Sequence, residues 1–550
     1  MRASKSLIAS ALWAMCAVAM VEATSALAEK VVVETVSKES CERVASAPVA
    51  NARITMAELV PAGGFKGQNE VFSGRDMSAF YKGLPTFCRV VVEAHPTSDS
   101  NIKVEVWMPA SGWTGRLQGL GNGGFAGLID YHQMGAAMQL GSVATTTDAG
   151  HTGDSTDATW ALGHPEKIVD FGHRGIHEMT RVAKIVSRAL YGADARHSYF
   201  SGCSDGGREA LMEAQKYPAD YDGILAGAPA NYWTALLATS MYDSQALMLD
   251  PAAYIPATKI PLIANAVLKA CDAKDGVSDG ILNDPTQCHF DTAALICKNG
   301  AETDTCLTAP QAATLKKIYG GPRDAQGKVI FPGYLPGAED GPGGWGLWIV
   351  GPAPGRSLMY AFGTGYFSFM VYDKPDWDFK TFRMEQALKD ASAKTGAALD
   401  ATDPDLRPFK ARGGKLILYH GWDDPAIPAL NTVNYYQSVA AKMGQGNLDS
   451  FARLYMVPGM QHCGGGPGTD VFGEVMGTMP DDARHNINSA LQVWVEKGAA
   501  PSEILAAKYS PGSQTPGMTR PLCPYPQSAQ YKGSGNTNDA ANFVCAAKKK

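Results

Sequence analysis

A short segment near residue 200 carries the residue types best suited to nucleophilic chemistry. Gly202, Ser204 and Gly206 form the pattern G-x-S-x-G within "YFSGCSDGGREAL". A strand-like stretch precedes the pattern and a stretch with helical spacing follows it. In such a strand–turn–helix context the turn exposes the serine hydroxyl beyond the end of the sheet. The pattern therefore predicts that Ser204 is a nucleophile.

A nucleophilic serine needs a histidine as general base and an acid that orients the histidine. On a strand–turn–helix nucleophile of this kind, the three residues follow the chain order serine, acid, histidine. The base is therefore expected after both Ser204 and the acid. His462 lies in a glycine-rich segment directly after an expected strand, which predicts that it is the base. His420 precedes the acids and is a candidate for lining the substrate pocket. His485 is expected on the surface, and His289 in an insertion.

Two aspartates compete for the role of the acid. Asp423 and Asp424 stand in "HGWDDPAIP", at the end of an expected buried strand. Only one carboxylate is needed, and the residue pattern alone leaves both open.

Acyl transfer at a serine also needs two backbone N–H groups that stabilise an oxyanion. One of them normally belongs to the residue after the nucleophile, here Asp205. The second is expected at an early junction of strand and loop. Residues 119–127, "GLGNGGFAG", fit this place because glycines let the backbone approach a ligand closely. We call this segment the glycine-rich loop; the alternative is an ordinary turn.

The cysteine pattern predicts disulfides. The chain has 11 cysteines, and 10 remain (11 − 1) without Cys16, which lies in the N-terminal apolar segment. An even number in an exported protein indicates five disulfides. Spacing gives four local pairs, and contact between Ser204 and His462 would bring the two remaining cysteines together; two separate thiols are the alternative. The predicted pairs are Cys41–Cys88, Cys203–Cys463, Cys271–Cys288, Cys297–Cys306 and Cys523–Cys545.

The elements that must position these residues follow an alternating pattern. Strand-like and helix-like stretches alternate from about 86 to 230 and resume at "GGKLILYHGWDD". This rhythm predicts an α/β fold, a mostly parallel sheet flanked by helices. Residues 231–408, rich in Gly, Pro, Trp and Tyr, predict a large inserted lid domain. The catalytic domain would then be discontinuous, 29–230 and 409–550.

The N-terminus and the overall charge limit the classes of function that the protein can have. Arg2 and Lys5 precede an apolar run and an A-x-A site at 26–28, which predicts a signal peptide over 1–28 and export to the periplasm or the medium. The alternative to a signal peptide is a membrane anchor, but the apolar run is short for a membrane-spanning helix. We expect no membrane association after its removal. The net charge of −6 and the lack of long basic runs argue against nucleic-acid binding.

An acidic segment between two cysteines suits a metal. Asp272, Asp275 and Asp279 lie in "CDAKDGVSDGILNDPTQC". Carboxylates on a short glycine-containing loop suit calcium, although the bidentate glutamate of an EF-hand is missing. We predict structural calcium and no organic cofactor; a solvated acidic turn is the alternative.

Together these motifs resemble the tannase/feruloyl esterase family of α/β-hydrolases, which includes bacterial hydrolases of mono(2-hydroxyethyl) terephthalate. The resemblance rests on "GCSDGGREALMEAQKYPADYDGILAGAPA", "CDAKDGVSDGI", "LILYHGWDDPAIPALNTVNYY", "VPGMQHCGGGPGTD" and the C-terminal "RPLCPYPQSAQYKGSG". It implies a secreted serine esterase for small aromatic (phenolic) esters, derived from plant cell walls or polyesters. Tannase or terephthalate-monoester hydrolase activity is the alternative. A non-catalytic binding module and a metallohydrolase are the competing classes.

The resemblance also implies residue roles. It selects Asp424 over Asp423 as the acid and supports the Cys203–Cys463 pair. Its oxyanion donors would be the amides of Gly124 and Asp205. Its calcium ligands would be Asp272, Asp275 and Asp279, with main-chain oxygens of Val277 and Ile281.

The lid carries the departures from the terephthalate enzymes. In those enzymes an arginine shortly before a phenylalanine binds the substrate carboxylate, and here Leu358 stands at that place, with Arg356 displaced. Ile427 stands where an aromatic residue can follow the acid. We expect Phe362, His420 and Ile427 to line the pocket, and terephthalate monoesters to be poorer substrates.

Overall fold

The computed structural model describes residues 35–69, 74–298, 303–337, 339–473 and 480–547. The predicted signal peptide, 1–28, lies outside these residues. Among the helices of the described ranges, none has both the length and the apolar character to cross a lipid bilayer.

A nine-stranded sheet forms the centre of the fold, in the order β1-β2-β3-β5-β4-β6-β7-β8-β9. The strands from β5 to β9 along this order run parallel, and β1, β2, β3 and β5 pair antiparallel. The strands are β1 Ala52–Val60, β2 Phe87–Ala94, β3 Ile102–Pro109, β4 Arg116–Leu120, β5 Val143–Thr147, β6 His197–Cys203, β7 Gly223–Gly227, β8 Lys415–Gly421 and β9 Ala452–Val457. Two small hairpin sheets follow: β10 Ile504–Lys508 with β11 Met518–Leu522, and β12 Gln527–Tyr531 with β13 Phe543–Ala547.

Helices cover both faces of the sheet. In chain order they are α1 Lys38–Arg43, α2 Ser78–Lys82, α3 Tyr131–Gln139, α4 Pro165–Val169, α5 Gly175–Tyr191, α6 Asp205–Lys216, α7 Trp233–Met248, α8 Ile260–Cys271, α9 Ala309–Gly320, α10 Trp345–Trp348, α11 Leu358–Gly365, α12 Met384–Ala391, α13 Ala397–Leu399, α14 Arg407–Ala411, α15 Leu430–Met443, α16 Gln445–Asp449 and α17 Ile487–Lys497. Helices α5, α6 and α15 share one core with the sheet. Helix α17 packs with Tyr199, Leu225 and Ile417 in another. The α/β-hydrolase prediction is confirmed in this sheet and its flanking helices.

Helix α5 shows how the sequence builds these layers. Its residues Ile176, Met179, Val182 and Val186 recur at helical spacing and are all buried against the sheet. The helix ends at Gly192, whose left-handed backbone suits glycine.

A long insertion separates two neighbouring strands. Strands β7 and β8 are paired, yet 187 residues lie between Gly227 and Lys415 (415 − 227 − 1). The described part of this segment holds helices α7 to α14 and its own apolar core, which includes Leu315, Trp345 and Met359. The predicted lid domain, 231–408, falls within it, and its exact bounds stay a prediction.

Strand β1 was not expected from the sequence. It lies at the edge of the sheet and is mostly half-buried or exposed, with a register shift between Ile54 and Met56. Because an edge strand buries little, its apolar alternation is weak. The short strands β10 to β13, of five residues each, were not predicted from the sequence either.

Candidate active site

Ser204 sits in a strained turn between β6 and α6. Its backbone φ is +66° and ψ is −120°, which is rare for a residue with a side chain. The turn depends on close backbone approach, because a Cβ on Gly202 would lie 2.6 Å from the backbone of Gly206. The local sequence therefore forces the serine side chain out of the sheet.

Ser204, His462 and Asp424 form one hydrogen-bonded chain. The hydroxyl of Ser204 lies 2.9 Å from Nε2 of His462, and Nδ1 of His462 lies 2.8 Å from Oδ2 of Asp424. The other oxygen of Asp424 accepts the amides of Ala426 and Ile427, at 2.8 and 2.9 Å. This is the geometry of a nucleophile, a base and a group that orients the base.

The environment of Asp424 keeps its carboxylate charged. Burial alone would raise its pKa, but the charge of His462 and the hydrogen bonds from His420 and His462 outweigh that effect. The pKa of Asp424 is thus held well below its usual range. The neighbouring Asp423 instead faces the insertion, since a Cβ on Gly337 would lie 2.0 Å from its Oδ1.

His420 lies behind the acid and does not line the cavity, which corrects the pocket prediction. Its Nε2 is 3.1 Å from Oδ2 of Asp424 and 3.1 Å from the carbonyl oxygen of Ile427. Because both partners are acceptors, we assign the proton to Nε2, and Nδ1 accepts the hydroxyl of Thr432 at 2.7 Å. A position near the end of β8 suggested access to the cavity, but the side chain is fully buried.

All five predicted disulfides are present. They are Cys41–Cys88, Cys203–Cys463, Cys271–Cys288, Cys297–Cys306 and Cys523–Cys545. The second pair joins the residue before Ser204 to the residue after His462, with a Cα–Cα distance of 6.0 Å. It therefore links the nucleophile's strand directly to the loop of the histidine.

The two predicted oxyanion donors both lie at the cavity with Ser204. Asp205 is the first residue of α6, so its N–H has no acceptor within the helix. Gly124 has a φ of +60°, and a Cβ there would lie 2.3 Å from the carbonyl oxygen of Ser155. Only glycine fits this close approach.

A cavity of about 740 Å³ opens beside Ser204. Phe362 and Ile427 line it as expected, and so does Leu358. Its described lining holds neither lysine nor arginine, and Arg356 is absent from it. Apolar lining side chains are Trp233, Leu236, Leu237, Leu347, Trp348, Leu358, Met359, Phe362 and Ile427; polar ones include Asp130, His132, Gln133, Asp154 and Thr156.

Trp348 connects the insertion to the histidine, which sequence reasoning did not anticipate. Its ring meets the imidazole of His462 edge-on, with centroids 5.0 Å apart. It also stacks at 6.2 Å with Phe362, which in turn contacts Phe125. No local motif marks such a contact, because it depends on how the insertion packs on the sheet.

The acidic loop does not present a metal site in this conformation. Asp272 accepts the amide of Gly280, and Asp275 accepts those of Val277 and Asn283. Asp279 accepts the amide of Ile281 and forms a 2.6 Å ion pair with Arg520. Among the described residues, no group of three or more acidic, histidine or cysteine side chains is arranged to hold a metal ion. Calcium therefore stays a prediction.

The fold and the site define an α/β-hydrolase with a serine–histidine–aspartate centre, and comparisons with known proteins identify the family. Residues 88–546 match the family described as tannase and feruloyl esterase. An uncharacterized esterase of Xanthomonas campestris pv. campestris is 39% identical over 535 residues, 92% of this chain and 91% of that protein. A probable feruloyl esterase B-2 of Aspergillus terreus is 34% identical over 83% of this chain and 86% of its own.

A solved structure agrees with this assignment. The crystal structure of feruloyl esterase B from Aspergillus oryzae matches with a TM-score of 0.84 at 29% identity, covering 92% of this chain and 100% of that one. The chain therefore belongs to the tannase and feruloyl esterase family and is a carboxylic ester hydrolase.

Proposed function

We propose that the protein is an exported, feruloyl esterase-like serine esterase that hydrolyses esters of aromatic (phenolic) carboxylic acids. The observation that carries the proposal is the hydrogen-bonded chain from Ser204 through His462 to Asp424 beside an aromatic-lined cavity. The family assignment and the relatives named for feruloyl esterase activity support the substrate class.

The reaction proceeds in two halves. His462 Nε2 takes the proton of Ser204, whose oxygen attacks the ester carbonyl. The tetrahedral intermediate collapses, the alcohol leaves with the proton from His462, and an acyl-serine remains. Water, deprotonated by His462, then attacks the acyl-serine and releases the acid and free Ser204. The charged Asp424 stabilises the imidazolium in both halves.

The amides of Gly124 and Asp205 stabilise the oxyanion of each tetrahedral intermediate. Two features support this role: both residues line the cavity beside Ser204, and the first amide of a helix lacks an internal acceptor. Backbone donors fixed in place before the reaction act without reorganisation, which is their catalytic advantage.

The cavity favours a neutral aromatic ester over an anionic one. Its apolar wall, with Trp233, Trp348 and Phe362, suits an aromatic acyl group. A terephthalate monoester carries a free carboxylate, and the described lining offers it no lysine or arginine but does contain Asp130 and Asp154. Leu358 takes the place expected for a carboxylate-binding arginine. Terephthalate monoesters should therefore be poor substrates.

Export is supported by the cysteine chemistry. Five disulfides form within the described residues, and such bonds persist in oxidising compartments. The predicted signal peptide over 1–28 gives the route.

We also propose that the acidic loop binds a structural calcium ion after its side chains rearrange. Burial, and then the like charges of Asp279 and Asp272, raise the pKa of Asp275, and a cation would relieve this repulsion. Calcium should raise the melting temperature of chelator-treated protein but not that of Asp275→Asn. An unchanged melting temperature in wild type would contradict calcium binding.

A substrate panel tests the main proposal. Purified protein is assayed with methyl ferulate, methyl gallate and mono(2-hydroxyethyl) terephthalate, and the first is expected to have the highest kcat/KM. A serine-directed phosphonate should label Ser204 and abolish activity. A binding module would not be labelled, and a metallohydrolase would resist the phosphonate but lose activity in a chelator.

A further inference from the structure

Asn122, in the glycine-rich loop, is held from two directions. Its backbone carbonyl accepts the amide of Gly206 at 2.8 Å, and its backbone N–H donates to Oε2 of Glu209 at 2.8 Å. Both of these partners lie on α6, the helix that begins directly after Ser204. On the other side, the Asn122 side-chain amide donates to the carbonyl oxygens of Thr147 and Leu128, at 2.8 and 3.4 Å.

Glu209 makes its one described hydrogen bond from a fully buried position, which is costly for a carboxyl group. It is fully buried, and its Oε1 has no hydrogen-bond partner among the described residues. A buried carboxyl group with an unpaired oxygen disfavours folding, so an apolar residue of similar size would serve stability better. Its one described hydrogen bond reaches the loop that carries Gly124.

We propose that Glu209 is a positioning residue that fixes the glycine-rich loop relative to the nucleophile helix and so sets the distance between the Gly124 amide and Ser204. The inference rests on the proposed role of Gly124 as an oxyanion donor. Gly124 follows Asn122 by two residues, so a shift of Asn122 away from α6 moves its amide as well. The Asp205 amide lies on α6 itself and stays in place.

Glu209 acts as a neutral acceptor in this arrangement. Burial, and then the nearby charge of Asp205, raise the pKa of Glu209 well above its usual value. A protonated carboxyl accepts the Asn122 amide through its carbonyl oxygen, and the amide of glutamine offers the same atom at the same reach. Glutamine is therefore the conservative replacement.

The test compares three variants at this position. Glu209→Met removes the acceptor, Glu209→Asp shortens the side chain by one carbon–carbon bond of about 1.5 Å, and Glu209→Gln keeps acceptor and length. We expect Met and Asp to lower kcat about 10- to 100-fold, since misplacing an oxyanion donor approaches the cost of losing it. KM should stay within about twofold, because the amide binds the transition state more strongly than the substrate. Gln should restore most of kcat.

Glu213 provides the matched control. It lies one helical turn further along α6 and is also fully buried, but neither of its carboxyl oxygens has a hydrogen-bond partner among the described residues, so it does not hold the glycine-rich loop. Glu213→Met should leave kcat unchanged. Each rate is divided by the active-site concentration, which is measured as the amount of Ser204 that a fluorogenic phosphonate labels. Misfolded protein is thereby left out of the calculation.

A trifluoromethyl ketone, which forms an oxyanion on the serine, gives the second readout. Its affinity should fall in parallel with kcat in Glu209→Met and Glu209→Asp. The inference would be overturned if Glu209→Asp kept the wild-type kcat, or if Glu209→Gln lost as much kcat as Glu209→Met. It would also be overturned if Glu213→Met lost as much kcat as Glu209→Met. These outcomes are distinct from failure of the proposed function, in which Ser204→Ala itself would remain active.

Discussion

Cys203 and Cys463 are joined by a disulfide that places Ser204 and His462, the residues next to them, on directly linked segments. The two cysteines are 260 residues apart in sequence, and the entire insertion lies between them. Closing so long a loop restricts the unfolded chain, which in the chain-entropy model stabilises the fold by about 5–6 kcal/mol. The bond serves both stability and the alignment of the site.

Removal of this bond should affect activity as well as stability. The double variant Cys203→Ala/Cys463→Ala is expected to lose about tenfold or more in kcat and to melt at a lower temperature, because the histidine loop loses its link to β6. Cys297→Ala/Cys306→Ala, which removes a bond that spans 9 residues in the insertion, is the control. It should keep kcat. A thiol reagent that inactivated the unreduced native enzyme through Cys203 would refute the structural role of this cysteine.

His420 should influence catalysis through Asp424. Its Nε2–H contributes to holding the pKa of Asp424 low, so His420→Leu should raise that pKa and lower kcat about tenfold. The acidic limb of the kcat profile should move to higher pH, while KM changes little. Thr432→Val, which removes only the contact to Nδ1, should have a smaller effect. Identical pH profiles for His420→Leu and wild type would rule out this role.

The sequence predicted the chemistry of the site better than its surroundings. Ser204 and His462 could be found because turn geometry and chain order restrict where a nucleophile and its base can lie. The choice between Asp423 and Asp424 needed the family resemblance, since adjacent residues differ only in which way they point. The buried position of His420 and the contact of Trp348 with His462 depend on long-range packing, which no local pattern encodes.

The strands of the sheet also differ in how well the sequence predicted them. The parallel strands β6 to β8 are buried and apolar, so their pattern is strong, whereas the edge strand β1 buries little and was missed.

A buried histidine behind the glycine-rich loop should make the fold sensitive to acid. His151 is buried and stacks on Trp160, and burial lowers its pKa from 6.5 to about 4. Between these values the unfolded chain binds a proton that the folded chain does not, so stability falls as pH drops from about 6.5 to 4. His151→Phe should remove about 1–3 kcal/mol of that loss. Urea denaturation of both proteins at pH 7 and pH 4.5 checks this; equal pH dependence would contradict it.

Leu358 should govern the preference between neutral and anionic esters. Leu358→Arg puts a cation at the cavity, where it can pair with the free carboxylate of mono(2-hydroxyethyl) terephthalate. The ratio of kcat/KM for this ester to that for methyl ferulate should rise about tenfold, and Leu358→Met should leave it unchanged. If both variants gave the wild-type ratio, Leu358 would not control this preference.

Capture of the acyl-enzyme tests whether Ser204 is the nucleophile. Wild-type protein is mixed with excess methyl ferulate, quenched in acid within milliseconds and digested for mass spectrometry, with Ser204→Ala treated alike. We predict a feruloyl adduct on Ser204 of the wild type. Ser204→Ala should carry no adduct and should retain at most about 0.1% of the wild-type kcat. Near-normal turnover by Ser204→Ala, or an adduct on another residue, would contradict the assignment of Ser204 as the nucleophile.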